Sequence, residues 1–166
     1  MINRYQVFRE RLGQELTDIQ KVAQKALDLH AEMVAESGKT AVYLDAIALN
    51  LHGFYSGVER IFEWLARQLD GTLPQGSSWH QELLTQMTLA IPEVRPAIIQ
   101  LATRDALVEF LGFRHVVRNV YTWDLEPAKV QRLIIQLPTV LQALTDDLEQ
   151  FRQFLKMAGQ ADEMKK

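Results

Sequence analysis

Residues 113–121 read FRHVVRNVY, and Arg114, His115, Arg118, Asn119 and Tyr121 among them can bind an anion, move a proton or stack on a base. Two guanidiniums one helical turn apart suit phosphate, because each planar fork of N–H donors can meet two oxygens at once. An imidazole beside them exchanges a proton near neutral pH. A phenol adds a stacking face and a hydroxyl. These residue types point to recognition of phosphate or of an RNA backbone. They say nothing by themselves about catalysis.

On a helix, at about 100° per residue, Phe110, Phe113, Val116, Val117 and Val120 form one arc, the expected core face. Arg114, His115, Arg118, Asn119, Tyr121 and Thr122 form the opposite arc, with Leu111 as its apolar intruder. A merely solvated helix face is the plain alternative. Against it, Arg114 and Arg118 repel at i,i+4, and no acidic residue within the stretch offsets them.

Glycine and proline punctuate the chain and β-type alternation is absent, so every element is expected to be helical. A first helix is expected over residues 3–36, with Tyr5, Phe8, Leu12, Leu16, Ile19 and Val22 at helical steps. SGKT ends it, Gly38 being the C-terminal cap. The second helix, residues 41–69, is apolar almost all round. Its polar residues Asp45, His52, Ser56, Glu59 and Glu63 fall on one narrow stripe, which marks the central helix of a bundle. His52 is expected to pair with Asp45 or Glu59, and Asn50 on the other side to need a buried partner. DGTLPQGSS is a loop, and SWHQ has capping-box spacing for a short helix to about Ala90. IPEVRPA, with Pro92 and Pro96, is a second loop. The fourth helix is expected to start near Thr103 and carry the motif to Thr122 or Trp123. Pro127 suits the first turn of a fifth helix that runs toward Met157, kinked or interrupted at Pro138. Trp64, Trp79 and Trp123 are expected as core or rim anchors. The predicted fold is all-α: an up-and-down helical bundle of four principal helices plus one short helix. Residues 1–158 form its single domain and 159–166 a frayed tail.

A chain of 166 residues suits one domain with a full core. Its lack of cysteine excludes disulfides, thiolate metal sites and cysteine nucleophiles, and fits a reducing cytoplasm. MINRYQVFRERLGQEL has no apolar core of a signal peptide, and no uncharged apolar run approaches the roughly 18 residues of a membrane span. A cytoplasmic protein without membrane partners is expected. The net charge of −3 argues against a surface that grips nucleic acid everywhere, and leaves room for a local basic patch. None of His30, His52, His80 and His115 follows a glutamate by three residues, so the di-iron Glu-x-x-His pattern is missing. Zinc-protease, P-loop and Gly-x-Ser-x-Gly motifs are missing too. No metal and no cofactor are expected.

FRHVVRNVY resembles the signature of the HEPN superfamily, specifically of the HepT-like proteins that pair with a minimal nucleotidyltransferase. That signature is an Arg, a polar residue, a His four to six positions after the Arg, and often a Tyr two later. Arg114 fits the Arg, His115 the polar neighbour and Tyr121 the Tyr. YLDAIALNLHGFYSGVERIFEWLA, LPQGSSWHQELL and PEVRPAII resemble the same branch, so the likeness runs over residues 43–121 and more loosely to Leu155. The resemblance implies a homodimer whose two motif copies line a shared cleft. In many members it implies a metal-independent ribonuclease, with the His and Arg acting on the RNA 2′-hydroxyl and scissile phosphate. Some members are toxins, and their nucleotidyltransferase partner is the antitoxin, in certain pairs through attachment of AMP to the motif Tyr.

Asn119 departs from that signature, standing where the His belongs, and an amide cannot exchange a proton near neutral pH. Two readings stay open. In the first, Arg114, His115 and Asn119 are the catalytic set of an RNase toxin, Arg118 holds RNA phosphate and His115 takes over acid–base work. In the second, the chain is a non-catalytic subunit that binds the nucleotidyltransferase, with Tyr121 as adenylylation acceptor. A structural bundle with no anionic ligand is the third class.

Overall fold

The helical periodicity is realised in the computed structural model, which describes residues 3–36, 38–119, 121 and 124–164. Its helices are α1 (Arg4–Ala35), α2 (Thr40–Leu65), α3 (Trp79–Gln86), α4 (Leu101–Asn119) and α5 (Pro127–Glu163). Four are long and α3 is short, and the described residues contain no strand, so the expected all-α bundle is what forms. Ser37, Val120, Thr122 and Trp123, each given a place by the sequence pattern, lie outside the described residues.

α1 buries Leu12, Leu16, Ile19, Ala23 and Ala26, one stripe of four- and three-residue steps. That stripe lies on α2. A Cβ at Gly57 would stand 3.0 Å from Ile19, so glycine lets these two helices approach closely. Gly53 faces Val22, and Arg60 pairs with Glu15 at 3.3 Å, so the two helices run antiparallel. Gln20 bonds Thr145, and Arg152 donates to the Arg9 carbonyl, so α5 runs antiparallel to α1 on another side. α2 is buried on most of its circumference, as its composition predicts, and Phe54 meets Phe110 of α4 edge-on at 5.5 Å. Trp64 and Trp79 are half-buried against this core, at its rim.

Asn3 ties the two ends of the chain together. Its Oδ1 accepts from the Tyr5 amide at 2.9 Å, and its Nδ2 donates to the Gly159 carbonyl at 2.8 Å. Gly159 is buried against Asn3 and Tyr5, and α5 stays helical to Glu163, so residues 159–163 of the expected tail continue the helix. α5 is also uninterrupted at Pro138, which sits on the exposed side while buried Leu137 and Val140 anchor the flanking turns.

The chain leaves α2 through a π-helical turn, Ala66–Asp70, that ends at Gly71 with φ 68°. Asp70 is then gripped by Arg95 at 2.6 Å on both oxygens, with both side chains fully buried. Arg95 also donates to the carbonyls of Leu89, Pro96 and Gln86. This fork folds the IPEVRPA loop back onto the end of α2. The same loop shortens α3: the Met87 carbonyl accepts from Ile98 and Ile99, so the helix stops at Gln86 rather than near Ala90. Ser78 precedes α3 without a side-chain cap bond, so the capping box does not form.

α4 carries the motif, and its start is fixed from α5. Asp147 Oδ2 accepts from the Gln100 amide at 2.9 Å and from the Thr103 hydroxyl at 2.6 Å. Those bonds take up donors that a helix start otherwise leaves unmet, and they place a carboxylate at the positive end of the helix dipole. Asp147→Ala strands a buried hydroxyl and an amide, so a loss of about 2–3 kcal/mol is expected in urea unfolding. Asp147→Asn keeps an acceptor and loses less. An alanine variant as stable as the parent would show that α4 needs no cap from α5.

Candidate functional site

α2 turns Glu59 inward. Although the residue belongs to the helix's polar stripe, its side chain is only 4% exposed. An ionised carboxylate in that position loses several kcal/mol of hydration unless partners replace the water. Two do. Nδ1 of His80, on α3, lies 2.6 Å from Oε2 and donates to it, because a carboxylate can only accept. Nη2 of Arg114, on α4, lies 3.2 Å from Oε1. Arg114 also aims Nε at the Ser56 hydroxyl, 3.4 Å away on α2. One carboxylate thus joins three helices. Burial and the Glu59 charge hold the phenol of Tyr55, one turn before Glu59, above its ordinary range, so it stays un-ionised.

The polar arc expected on α4 is divided by this packing. Arg114 is 12% exposed and Leu111 is buried, so both belong to the inner side. The helical wheel assigned one buried face; α2, α3 and α5 all pack on α4 and widen it. Val116 and Val117 are half-buried. His115, Arg118 and Asn119 remain exposed, and Tyr121 is 68% exposed.

His115 is held at its root. Its ring meets His80 edge-on at 5.1 Å, and His80 stacks on Trp79 at 3.7 Å. Asn119 donates Nδ2 to the His115 carbonyl at 2.8 Å, so the amide at the signature position bonds back to its own helix. Arg118 stands in the last turn of α4, where the helix dipole favours a cation. Arg114 and His115 therefore sit over α2 and α3, and Arg118, Asn119 and Tyr121 follow toward the end of the helix.

His52 is not paired with Asp45 or Glu59 as the sequence suggested, because Glu59 is turned to His80 and Arg114. It lies one turn before Ser56 on the strip of α2 that Arg114 leans over. Its Nε2 is buried and finds no hydrogen-bond partner among the described residues, and the same is true of Arg114 Nη1. Burial, then the charges of Arg114 and Arg118, hold the His52 imidazole below its ordinary pKa. Asn50 differs from expectation as well: half-buried, it donates to the Ala46 carbonyl of its own helix at 2.8 Å and pins no second element. A cavity of about 550 Å³ between residues 90–96 and the outer ends of α1 and α5 holds none of the motif residues.

Glu59 and His80 are the site residues that motif reading passed over. Their signal was present in the sequence. Arg114 and Arg118 had no acid three or four residues away on their own helix, and a glutamate on a helix as apolar as α2 is buried only when paired.

A family model described as HepT-like protein matches residues 46–155, from within α2 to within α5, and so spans Glu59, His80 and the whole motif. No curated protein and no solved structure matches the chain. No helix among the described residues is long and apolar enough to cross a membrane.

The low basicity of His52 has a defined sign. A histidine whose folded pKa lies below its unfolded value binds its proton more readily when unfolded, so stability is full above about pH 6.5 and falls as the pH drops below it. Thermal unfolding between pH 7.5 and 5 is expected to show a shallower decline for His52→Asn than for the parent, and Arg118→Gln to give an intermediate slope. A parent-like slope for His52→Asn would remove His52 from the pH dependence, and one for Arg118→Gln would remove Arg118 as a cause of its low basicity.

Proposed function

This chain belongs to the HepT-like family, and on that footing we propose that it is the HEPN component of a cytoplasmic nucleotidyltransferase toxin–antitoxin pair and an endoribonuclease that needs no metal. The observation that carries this reading is the His115 ring, exposed beside Arg118 and buttressed from below by the Glu59–His80 pair. Arg118 neutralises the phosphate of a bound RNA. His115 takes the proton of a ribose 2′-hydroxyl, whose oxygen then attacks the adjacent phosphorus. The 5′-oxygen leaves and takes the proton back from the imidazolium, giving a 2′,3′-cyclic phosphate and a free 5′-hydroxyl. Arg114 acts as a positioning residue through Glu59, and Asn119 closes the helix beside the RNA rather than moving protons.

One helix face offers half a cleft, and a second copy supplies the other half. Val42 and Leu49, a heptad apart on α2, are 69% and 68% exposed, and a homodimer would cover them. A second reading rests on Tyr121, whose exposure suits a modifying enzyme. In it the chain is a non-catalytic subunit: the partner nucleotidyltransferase directs the Tyr121 oxygen onto the α-phosphorus of ATP, and pyrophosphate leaves.

Purified protein is expected to cleave single-stranded RNA in the presence of EDTA, and His115→Ala to slow cleavage about 10²–10⁴-fold. Equal rates for the two would remove His115 from the chemistry. Absence of cleavage, together with an adenylyl mass increment after co-expression with the neighbouring nucleotidyltransferase that Tyr121→Phe abolishes, would favour the second reading. A strict monomer in sedimentation would remove the shared cleft.

A further inference from the structure

The Glu59–His80 pair has the form of a proton-exchanging unit as well as of a buttress. His80 Nδ1 lies 2.6 Å from the Glu59 carboxylate and so carries the hydrogen, which leaves Nε2 as the nitrogen that can gain or lose one. A carboxylate behind Nδ1 fixes both the tautomer and the angle of the ring. Trp79 stacks on that ring at 3.7 Å, and His115 meets it edge-on at 5.1 Å. The ring makes no further hydrogen bond among the described residues, and its side chain is 11% exposed beside the exposed His115. Two imidazoles from two helices thus share one place. Asn119, bonded back to the His115 carbonyl, has no proton to exchange.

We propose that His80 is a second catalytic residue of this site, the general acid for the departing 5′-oxygen, with Glu59 as its positioning residue. The inference rests on the ribonuclease reading and supplies, from His80, the proton that the simpler scheme returns from His115. In-line attack puts the entering 2′-oxygen and the departing 5′-oxygen on opposite sides of phosphorus, so a single imidazole must move between them. Two rings 5.1 Å apart serve one oxygen each. His115 takes the 2′-hydroxyl proton as the bond from that oxygen to phosphorus forms. The bond from phosphorus to the 5′-oxygen breaks, its electron pair stays on that oxygen, and His80 gives it the proton of Nε2. His115 is left protonated and His80 neutral, and exchange with water restores both. Glu59 accepts from Nδ1 throughout, so the His80 ring keeps its aim while its other nitrogen changes state.

The test replaces the departing oxygen by sulfur. RNA with one 5′-bridging phosphorothiolate releases a thiolate, which leaves without needing a proton. His80→Asn keeps a donor near the Nδ1 position for Glu59 and removes the nitrogen that exchanges a proton; circular dichroism checks its fold. It is expected to slow cleavage of ordinary RNA about 10²–10³-fold and of the sulfur-bridged RNA less than about threefold, whereas His115→Ala slows both alike. Equal slowing of the two substrates by His80→Asn, or no slowing, overturns the proposal and leaves His80 a buttress. The parent protein gives a reading that needs no variant. With a proton donor in place it is expected to cleave the two substrates at rates within about tenfold, and a gain from sulfur of about 10²-fold or more overturns the proposal as well. A parent that cleaves neither substrate retires the nuclease and the second histidine together. A parent that cleaves both, with His80→Asn slowed equally on each, retires His80 alone.

Discussion

The Glu59 carboxylate is the constraint around which the motif end of this bundle is arranged. A charge carried into an apolar helix interface must be answered where it lies, and the answers come from His80 on α3 and Arg114 on α4. Each partner is thereby held in one rotamer. The short helix α3 has only eight residues and no side-chain cap, so its own propensity does little to fix it. Its attachment to α2 through His80 and to the core through Leu83 and Leu84 does that instead. The exposed His115 inherits its orientation from the same source, because His80 is the surface against which its ring rests.

This arrangement changes what the motif means. Its polar residues do not act as one face. Arg114 is an interior residue whose charge is spent mostly on holding α4 to α2, whereas His115, Arg118 and Tyr121 are the outward part. Asn119 makes a local bond as it stands: its amide donates back to the His115 carbonyl, four residues earlier on the same helix.

Much of the fold was legible in the sequence because helical periodicity is a local property. The stripe from Leu12 to Ala26 and the apolar girth of α2 fixed which surfaces had to meet. What stayed illegible depends on partners far along the chain. Leu111 looks misplaced on a wheel because a wheel assumes one buried face, and three helices pack on α4. The cap of α4 could not be found near its start, since the capping carboxylate is Asp147, more than forty residues away. His52 was given the wrong partner for a related reason: Asp45 and Glu59 are equally near along its helix, but α3 and α4 bring competing donors to the Glu59 carboxylate. The capping box at Ser78 shows the reverse error, a local signal with the right spacing that tertiary packing leaves unused.

The π-helical turn at the end of α2 has a consequence for the lengths this chain tolerates. Such a turn accommodates one residue more than an α-helical turn, and each residue on a helix is worth about 100° of rotation. Deleting one residue from 66–70 would let the helix revert to regular winding and swing the carboxylate at its end away from Arg95, unthreading the fork that folds the 87–100 segment back. The loop that follows, residues 71–78, carries two glycines at positive φ and makes few such commitments. Insertions and deletions among relatives should therefore gather after Gly71 and stop short of Asp70, a boundary in sequence drawn by the winding of a single turn.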